Sequence, residues 1–398
     1  MKRFGVVFCV ASLVVALAAC GSSAKKATST TTKPKVPAIT VDSFTSDFSV
    51  MSQLAGLASA GKGKIGVLLP ETTTSARYTS FDAPYLTKAF QKAGLSASQY
   101  KIDNAQGSPA TQKTQAEADI TEGATVLLVD PIDSGVGAAI EAAAKAQGVK
   151  VIDYDRITLG GTRDYYVSFD NVKVGELIGK GEVQCIQDWN VQKPQILILD
   201  GAATDNNATL FAQGYNSVLK PHFDSGEYVK VGEPAGSWEP SQVLTTFTQQ
   251  YTAHPNINAT VVANDANGNA VISQLKTLQI TPKTFPVTGQ DAQLTGVQNI
   301  LAGYQCMTVY KPIYLEAQAA VALALYLRAG QTPPAGLVNG TTKDTTAKTD
   351  VQSVLLTPTS VDLSNLASTV IKDNFVTAAD ACTGSFKSLC EQAGIPTS

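Results

Sequence analysis

The sequence predicts an α/β protein of two doubly wound, Rossmann-like lobes. Three observations carry this. Short apolar runs rich in Val, Ile and Leu alternate with longer helix-like stretches: KIGVLLP from Lys64, ILILDG from Ile196 and TVVANDAN from Thr260. That alternation is the pattern of a parallel sheet covered on both faces. It occurs twice over segments of similar length, which reads as two similar lobes. The runs also stop on carboxylate, amide or basic residues, as in VIDYDR (Val151–Arg156), FPVTGQDA (Phe285–Ala292) and CMTVYKP (Cys306–Pro312). In open α/β sheets, ligands bind beyond the carboxyl ends of the strands, so these polar groups collect where a small molecule would sit.

In chain order, residues 1–20 read as an export signal. Met1-Lys2-Arg3 is a basic start, and the apolar stretch Phe4–Ala19 is too short and wrongly flanked for a stable membrane span. Leu17-Ala18-Ala19-Cys20, followed by Gly21-Ser22-Ser23, matches the bacterial lipobox, which implies that Cys20 becomes the first mature residue and carries lipid. Residues 21–40 are Ser-, Thr-, Lys- and Pro-rich and predict a disordered tether. Residues 41–62 form a weakly helical N-terminal extension.

From Lys64 to Asp170 the pattern is strand, helix, strand, helix, strand, helix, strand, and YYVSFDN (Tyr165–Asn171) reads as a strand at its end. Thr125–Asp130 and Val149–Asp155 are strands around an Ala-rich helix at Gly135–Gln147. The order repeats with strands near Ile196, Val229, Val261, Val287 and Met307. Helices between them fall near Ala208–Leu219, Pro240–Ala253 and Asn269–Leu278. A long helix at Pro312–Ala329, a Pro/Gly-rich loop at Gly330–Gly340 and a strand near Val351–Pro358 then suggest that the chain changes lobe more than once. Three crossovers are expected, at Phe169–Asn171, Tyr310–Pro312 and Leu356–Pro358. The first lobe is then 63–169 plus 312–354, the second 170–311 plus 355–376, with a tail at 377–398.

Composition excludes several classes. A net charge of −3 does not supply the basic face that nucleic acid demands. Of six cysteines, Cys9 lies in the signal and Cys20 at the lipid site. Cys382 and Cys390 flank a Gly-containing loop and predict a disulfide. Cys185 and Cys306 then remain, as a second disulfide or as two buried thiols. The two histidines have no metal-ligand spacing with the cysteines, and no catalytic triad can be assembled, so neither metal, cofactor nor catalytic residue is expected. GxxxxGK at Gly56–Lys62 lacks its Ser/Thr and precedes a strand instead of following one. A calcium-loop hint at Asp265–Asn269 fails because Lys276 fills the closing acidic position.

Several motifs, in one order at strand ends, carry a resemblance: YDR at Tyr154–Arg156, SFDN running into KVGEL at Ser168–Leu177, and DNNA at Asp205–Ala208. NDA at Asn264–Ala266, GQDA at Gly289–Ala292 and MTVYKP at Met307–Pro312 continue it, and LLTP at Leu355–Pro358 and VIKD at Val370–Asp373 complete it. From Lys62 to Phe375 the chain resembles the periplasmic sugar-binding proteins of bacterial ABC importers, of the ribose/galactose type, and within them the D-xylose-binding branch. The resemblance implies the type I periplasmic binding protein fold and a three-crossover hinge. It also implies a non-enzymatic monomer that takes a monosaccharide, D-xylose first, and delivers it to the transmembrane subunits of an ABC permease.

It further implies that the sugar contacts fall on Arg77, Asp155, Arg156, Asn207, Trp238, Asn264, Asp291 and Lys311. Tyr78 stands where the relatives carry a larger aromatic, and the Thr-rich loop Glu71–Ser75 departs from the family's charged stretch. The residue types suit a neutral polyol. Carboxylates and amides accept from or donate to hydroxyls around a sugar's rim, Arg and Lys donate to them, and Trp238 offers a flat platform for a C–H face. Simpler roles compete: an Asp155–Arg156 ion pair, Asp291, Asn207 or Asn264 as helix caps or turn residues, and Trp238 as a core anchor. Two other functions are also weighed, a glycoside hydrolase using Asp155 and Asp291 and a sugar sensor docked on a receptor ectodomain.

Overall fold

The structure is a computed structural model that describes residues 37–396. The signal peptide, Cys20 and the tether through residue 36 lie outside the described residues. The first sheet contains β1 (Lys64–Leu69), β2 (Tyr100–Asn104), β3 (Ala124–Val129), β4 (Lys150–Tyr154) and β5 (Tyr165–Phe169). The second is built on β6 (Gln195–Leu199), β7 (Val229–Gly232), β8 (Ala259–Val262) and β9 (Met307–Tyr310). The chain then returns to add β10 (Gly340–Asp344) and β11 (Thr349–Leu356) to the first sheet, and β12 (Thr359–Asp362) pairs with β9.

The first sheet runs β10-β11-β5-β4-β3-β1-β2, parallel except for the β10–β11 hairpin. The second runs β7-β6-β8 and continues through single bridges, Thr260 to Val287 and Gln290 to Val309, to the antiparallel β9–β12 pair. The chain therefore changes sheet three times: after Phe169, after Tyr310 and after Leu356.

Several elements depart from expectation. The predicted strand at Val287 is an isolated bridge. An unforeseen strand at Gly340–Asp344 begins where the predicted loop ends, and β12 follows the third crossover, also unforeseen. Both extra strands are antiparallel edge strands with polar sequences (GTTKD, TSVD), so they lack the apolar run that marks a buried strand. Leu355 and Leu356, assigned to the second lobe, pair with Ser168 and Phe169 in the first sheet.

The N-terminal boundary also moves. The tether was expected to run through Thr40, but Pro37–Thr40 pack on the body: Tyr326 Oη donates to the Pro37 carbonyl at 2.7 Å and Ile39 is buried. The segment from Ile39 to Leu57 buries Phe44, Phe48, Met51 and Leu54. The reason lies in the helix Ile313–Arg328, whose AQAAVALALYL core is apolar apart from Gln318 and buried all round. Such a helix must be covered on every side. The first sheet covers one face, and the N-terminal segment covers part of the rest.

In the second lobe, the helices Asn171–Asp188 and Asn206–Asp224 cross closely. A Cβ at Gly175 would strike the Phe211 carbonyl, and one at Gly214 the Val172 carbonyl. Disulfides join Cys185 to Cys306 and Cys382 to Cys390. The C-terminal segment packs on the helix Leu294–Leu301, with Gln298 donating to the Ala381 carbonyl at 3.4 Å.

Candidate functional site

The carboxyl ends of both sheets face one crevice, and all nine side chains expected to touch the sugar line it. From the first sheet, β1 leads into a loop organised by the Glu71 carboxylate, which accepts from the amides of Thr74 (2.7 Å) and Ser75 (3.0 Å). Arg77 and Tyr78 follow, at the start of a helical turn spanning Tyr78–Asp82. β4 ends directly on Asp155 and Arg156.

Asp155 sits at φ 59°, in the left-handed region that Asp tolerates better than most residues. The turn is held by three donors to its carbonyl: Ser168 Oγ (2.8 Å), Tyr166 Oη (2.9 Å) and Asn207 Nδ2 (3.0 Å). The last of these comes from the second lobe. Burial alone would raise the Asp155 pKa, but Arg77, Lys311 and Arg156 more than offset this and hold the carboxyl below its ordinary value.

Arg77 is almost fully committed inside the protein. Its guanidinium donates to Asp82 twice (2.9 and 3.0 Å), to Asp155 Oδ1 (2.8 Å) and to Glu316 Oε2 (3.1 Å). A guanidinium has five N–H donors, so these bonds leave little for a ligand. Arg156 does not pair with Asp155. Its Nε lies 3.2 Å from Asp205 and 3.5 Å from Asp130, and its Nη2 donates to Tyr78 Oη at 2.8 Å.

The second lobe supplies the opposite wall. Asp205 is the N-cap of the helix Asn206–Asp224, accepting from Asn207 N–H at 2.9 Å, so Asn207 is not the cap. Asn207 Oδ1 instead accepts from Asn171 Nδ2 at 2.9 Å. Trp238 donates its indole N–H to Asp205 Oδ2 at 3.1 Å and meets Phe211 edge-on. Gly201 permits this placement, because a Cβ there would collide with the Trp238 ring. Asn264 does cap its helix, Asp265–Thr277, through its carbonyl, which leaves its NH2 as the group it can offer.

Asp291 lies at φ 92° and is not a cap; the N-cap position of the helix Leu294–Leu301 is Gln293, whose side chain makes no capping bond. Lys311 follows β9, with Nζ 3.3 Å from Asp291 Oδ1 and 3.8 Å from Asp155 Oδ1, so it joins carboxylates of the two lobes. Asp291 Oδ1 and Gln290 Oε1 are buried without a hydrogen-bond partner. Buried acceptors of this kind are costly unless paired, so they are natural partners for ligand hydroxyls.

Sequence reasoning missed Asp130, Asp205, Gln290 and Phe211. Asp205 was legible as the first residue of DNNA, at a helix start. Asp130 directly follows β3 and is buried beside Arg156; burial raises its pKa well above the ordinary value, partly offset by Arg156. Three cations, Arg77, Arg156 and Lys311, thus face carboxylates that match or outnumber them. The crevice has no surplus positive charge for an anionic ligand, and its acceptors and donors suit an uncharged, hydroxyl-rich one.

Comparison with known proteins places this architecture. Residues 65–332 match the family model described as "Periplasmic binding protein domain". The chain is 40% identical over 276 residues to the D-xylose-binding periplasmic protein of Escherichia coli K12, covering 69% of this chain and 80% of that one. It is 32% identical over 335 residues to the multiple sugar-binding periplasmic receptor ChvE of Rhizobium radiobacter, covering 80% and 92%. A carbohydrate transporter solute binding protein from Chloroflexus aurantiacus, solved with D-glucose, superposes with a TM-score of 0.69 at 28% identity, covering 79% and 97%. With its two α/β lobes, its triple crossover and a crevice matched to a neutral polyol, the chain belongs to the periplasmic sugar-binding proteins of ABC importers, which are non-enzymatic solute receptors.

Proposed function

We propose that this protein is a lipid-anchored receptor that takes a single monosaccharide, D-xylose first, between its lobes and presents it to an ABC permease. The observation that carries this reading is the Lys311 bridge between Asp155 and Asp291, beside the Gln290 Oε1 acceptor, which has no hydrogen-bond partner. A sugar hydroxyl at that point reaches ionised groups of both lobes at once. A ligand shifts closure only by contacting both sides, which is what this geometry offers. Hydrogen bonds to charged partners contribute about 1.5–3 kcal/mol each. Micromolar binding needs about −8 kcal/mol. Spread over roughly ten heavy atoms of a pentose, this is well within the ceiling of about −1.5 kcal/mol per atom.

The sugar named for the Escherichia coli relative supports D-xylose as the first candidate. The smaller ring of Tyr78, engaged by Arg156, is consistent with a compact ligand such as a pentose. Hydrolysis is not favoured, because Asp155 is held ionised by its cationic neighbours and has no proton to give a leaving group. The Cys20 anchor rests on the lipobox pattern.

The test is a thermal-shift and calorimetric screen of free pentoses and hexoses on protein starting after Cys20. D-Xylose is expected to raise the melting temperature most, and Asp291→Ala is expected to abolish detectable binding. Near-native affinity in Asp291→Ala would remove the site as assigned. A larger shift with a hexose would retain the site and replace the ligand. For the anchor, Cys20→Ser is expected to release the protein from the membrane fraction, and retention there would exclude Cys20 lipidation.

A further inference from the structure

The two lobes also meet outside the crevice, at an aromatic joint beside the second crossover. Phe81 stacks face to face on Phe375, with ring centroids 3.9 Å apart and planes 12° from parallel. Phe81 belongs to the first lobe and Phe375 to the segment that follows β12 on the second. Tyr310, at the end of β9, meets the Phe375 ring at 4.9 Å and 63°. Asp373 Oδ2 accepts from Tyr310 Oη at 3.1 Å and from Tyr314 Oη at 3.0 Å. Tyr314 opens the helix that returns to the first lobe. None of these five residues lines the crevice.

We propose that this joint sets how readily the lobes close, and so tunes sugar affinity from beyond the ligand's reach. Aromatic pairs favour particular offsets and tilts, so a flat stack selects one angle between the lobes. Apparent affinity scales with the fraction of protein in the binding-competent arrangement. A stacked pair is strong enough to change that fraction between about twofold and tenfold. The link to the crevice is short. Phe81 lies on the same helical turn as Tyr78, which lines the crevice, and Asp82, which holds Arg77. Movement at the joint therefore moves the first-lobe wall.

This inference rests on the sugar-binding reading, and its test keeps the two apart. Phe81→Leu and Phe375→Ala are compared with wild type and with Phe90→Leu. The Phe90 ring stacks on Tyr100 at 4.6 Å, wholly within the first lobe. Small-angle scattering of sugar-free protein reads the closure equilibrium, and calorimetry with D-xylose reads affinity. Both joint variants are expected to show a larger radius of gyration and three- to tenfold weaker D-xylose binding. Phe90→Leu is expected to lower the melting temperature and leave both readouts unchanged. Joint variants with wild-type radius and affinity would overturn the proposal. So would an affinity loss with an unchanged radius, which assigns the effect to the crevice. If Phe375→Ala does not fold, Phe81→Leu, which keeps bulk but loses the flat stack, decides the same question. If wild type binds no sugar, the binding reading fails while the scattering comparison still judges the joint.

Discussion

Arg77 shows how ion pairing competes for the donors that a sequence reading offers to a ligand. A buried Arg near a sugar crevice suggests a direct donor, yet its N–H groups are spent on Asp82, Asp155 and Glu316. Its principal work is to keep Asp155 ionised and fixed. Burial and then the nearby Asp155 charge push the Glu316 carboxyl up, with Arg77 opposing. Removing the cation would leave these carboxylates buried together. Arg77→Ala is therefore expected to cost about 3–5 kcal/mol of stability, the range for breaking a buried pair. Urea denaturation checks this, and a loss below about 1 kcal/mol would show that the network tolerates an empty centre. Lys311 differs, because its contacts are ion pairs at 3.3 and 3.8 Å without a hydrogen bond, so its donors remain available.

The helix pair Asn171–Asp188 and Asn206–Asp224 sets the second lobe's geometry. Gly175, Gly179 and Glu182 recur at spacings that share one helix face. Gly175→Ala places a methyl against the Phe211 carbonyl and is expected to destabilise by about 1–3 kcal/mol, the usual cost of overpacking. Measured denaturation midpoints would show it. Glu182 continues that face, buried, with neither carboxylate oxygen partnered. Burial pushes its pKa up to about 8 from the ordinary 4.5. Between those values the folded chain holds a proton that the unfolded chain lacks, so stability falls as pH rises through this window. Full deprotonation above pH 8 costs on the order of 5 kcal/mol. Glu182→Gln is expected to flatten the decline in stability between pH 5 and pH 8 and to leave the acid side unchanged. An unaltered slope would show that the carboxyl finds solvent or a partner.

At the scale of the molecule, the Cys185–Cys306 bridge ties the helix after the first crossover to the residue before β9, which leads to the second. Both ends lie in the second lobe, so the bridge stiffens that lobe without locking it to the first. The double variant Cys185→Ser with Cys306→Ser is expected to lose about 2–4 kcal/mol of stability while keeping D-xylose affinity within about twofold. Paired denaturation and calorimetry check the two halves of this statement. A large affinity loss would mean that the bridge also sets the angle of the crossovers. The N-terminal segment acts on the other lobe: Gln318 donates to the Thr45 carbonyl at 2.9 Å, and Lys88 lies 4.2 Å from the centre of the Phe48 ring. A chain tethered through its N-terminus would therefore be held by the first lobe.

Local chemistry was enough to determine the fold class and the strand ends from which the site is built. Short runs of Val, Ile and Leu such as ILIL, alternating with helix-like stretches, fit a buried parallel sheet, and Asp155, Asn264, Asp291 and Lys311 stand at or just past the ends of such runs. The ordering of those residues along the chain also carried the family resemblance. The sequence did not determine who pairs with whom. Whether Asp155 meets Arg156 or Arg77, whether Asn207 reaches the Asp155 carbonyl, and whether Phe81 touches Phe375 depend on contacts between residues far apart in sequence. Polar edge strands such as β10 and β12 escaped for the same reason, since their pairing comes from a neighbour's exposed edge and not from their own composition. Tertiary structure decides these matters because ion pairs and ring stacks are set by the distance and direction between side chains, and only folding brings those side chains within a few ångströms.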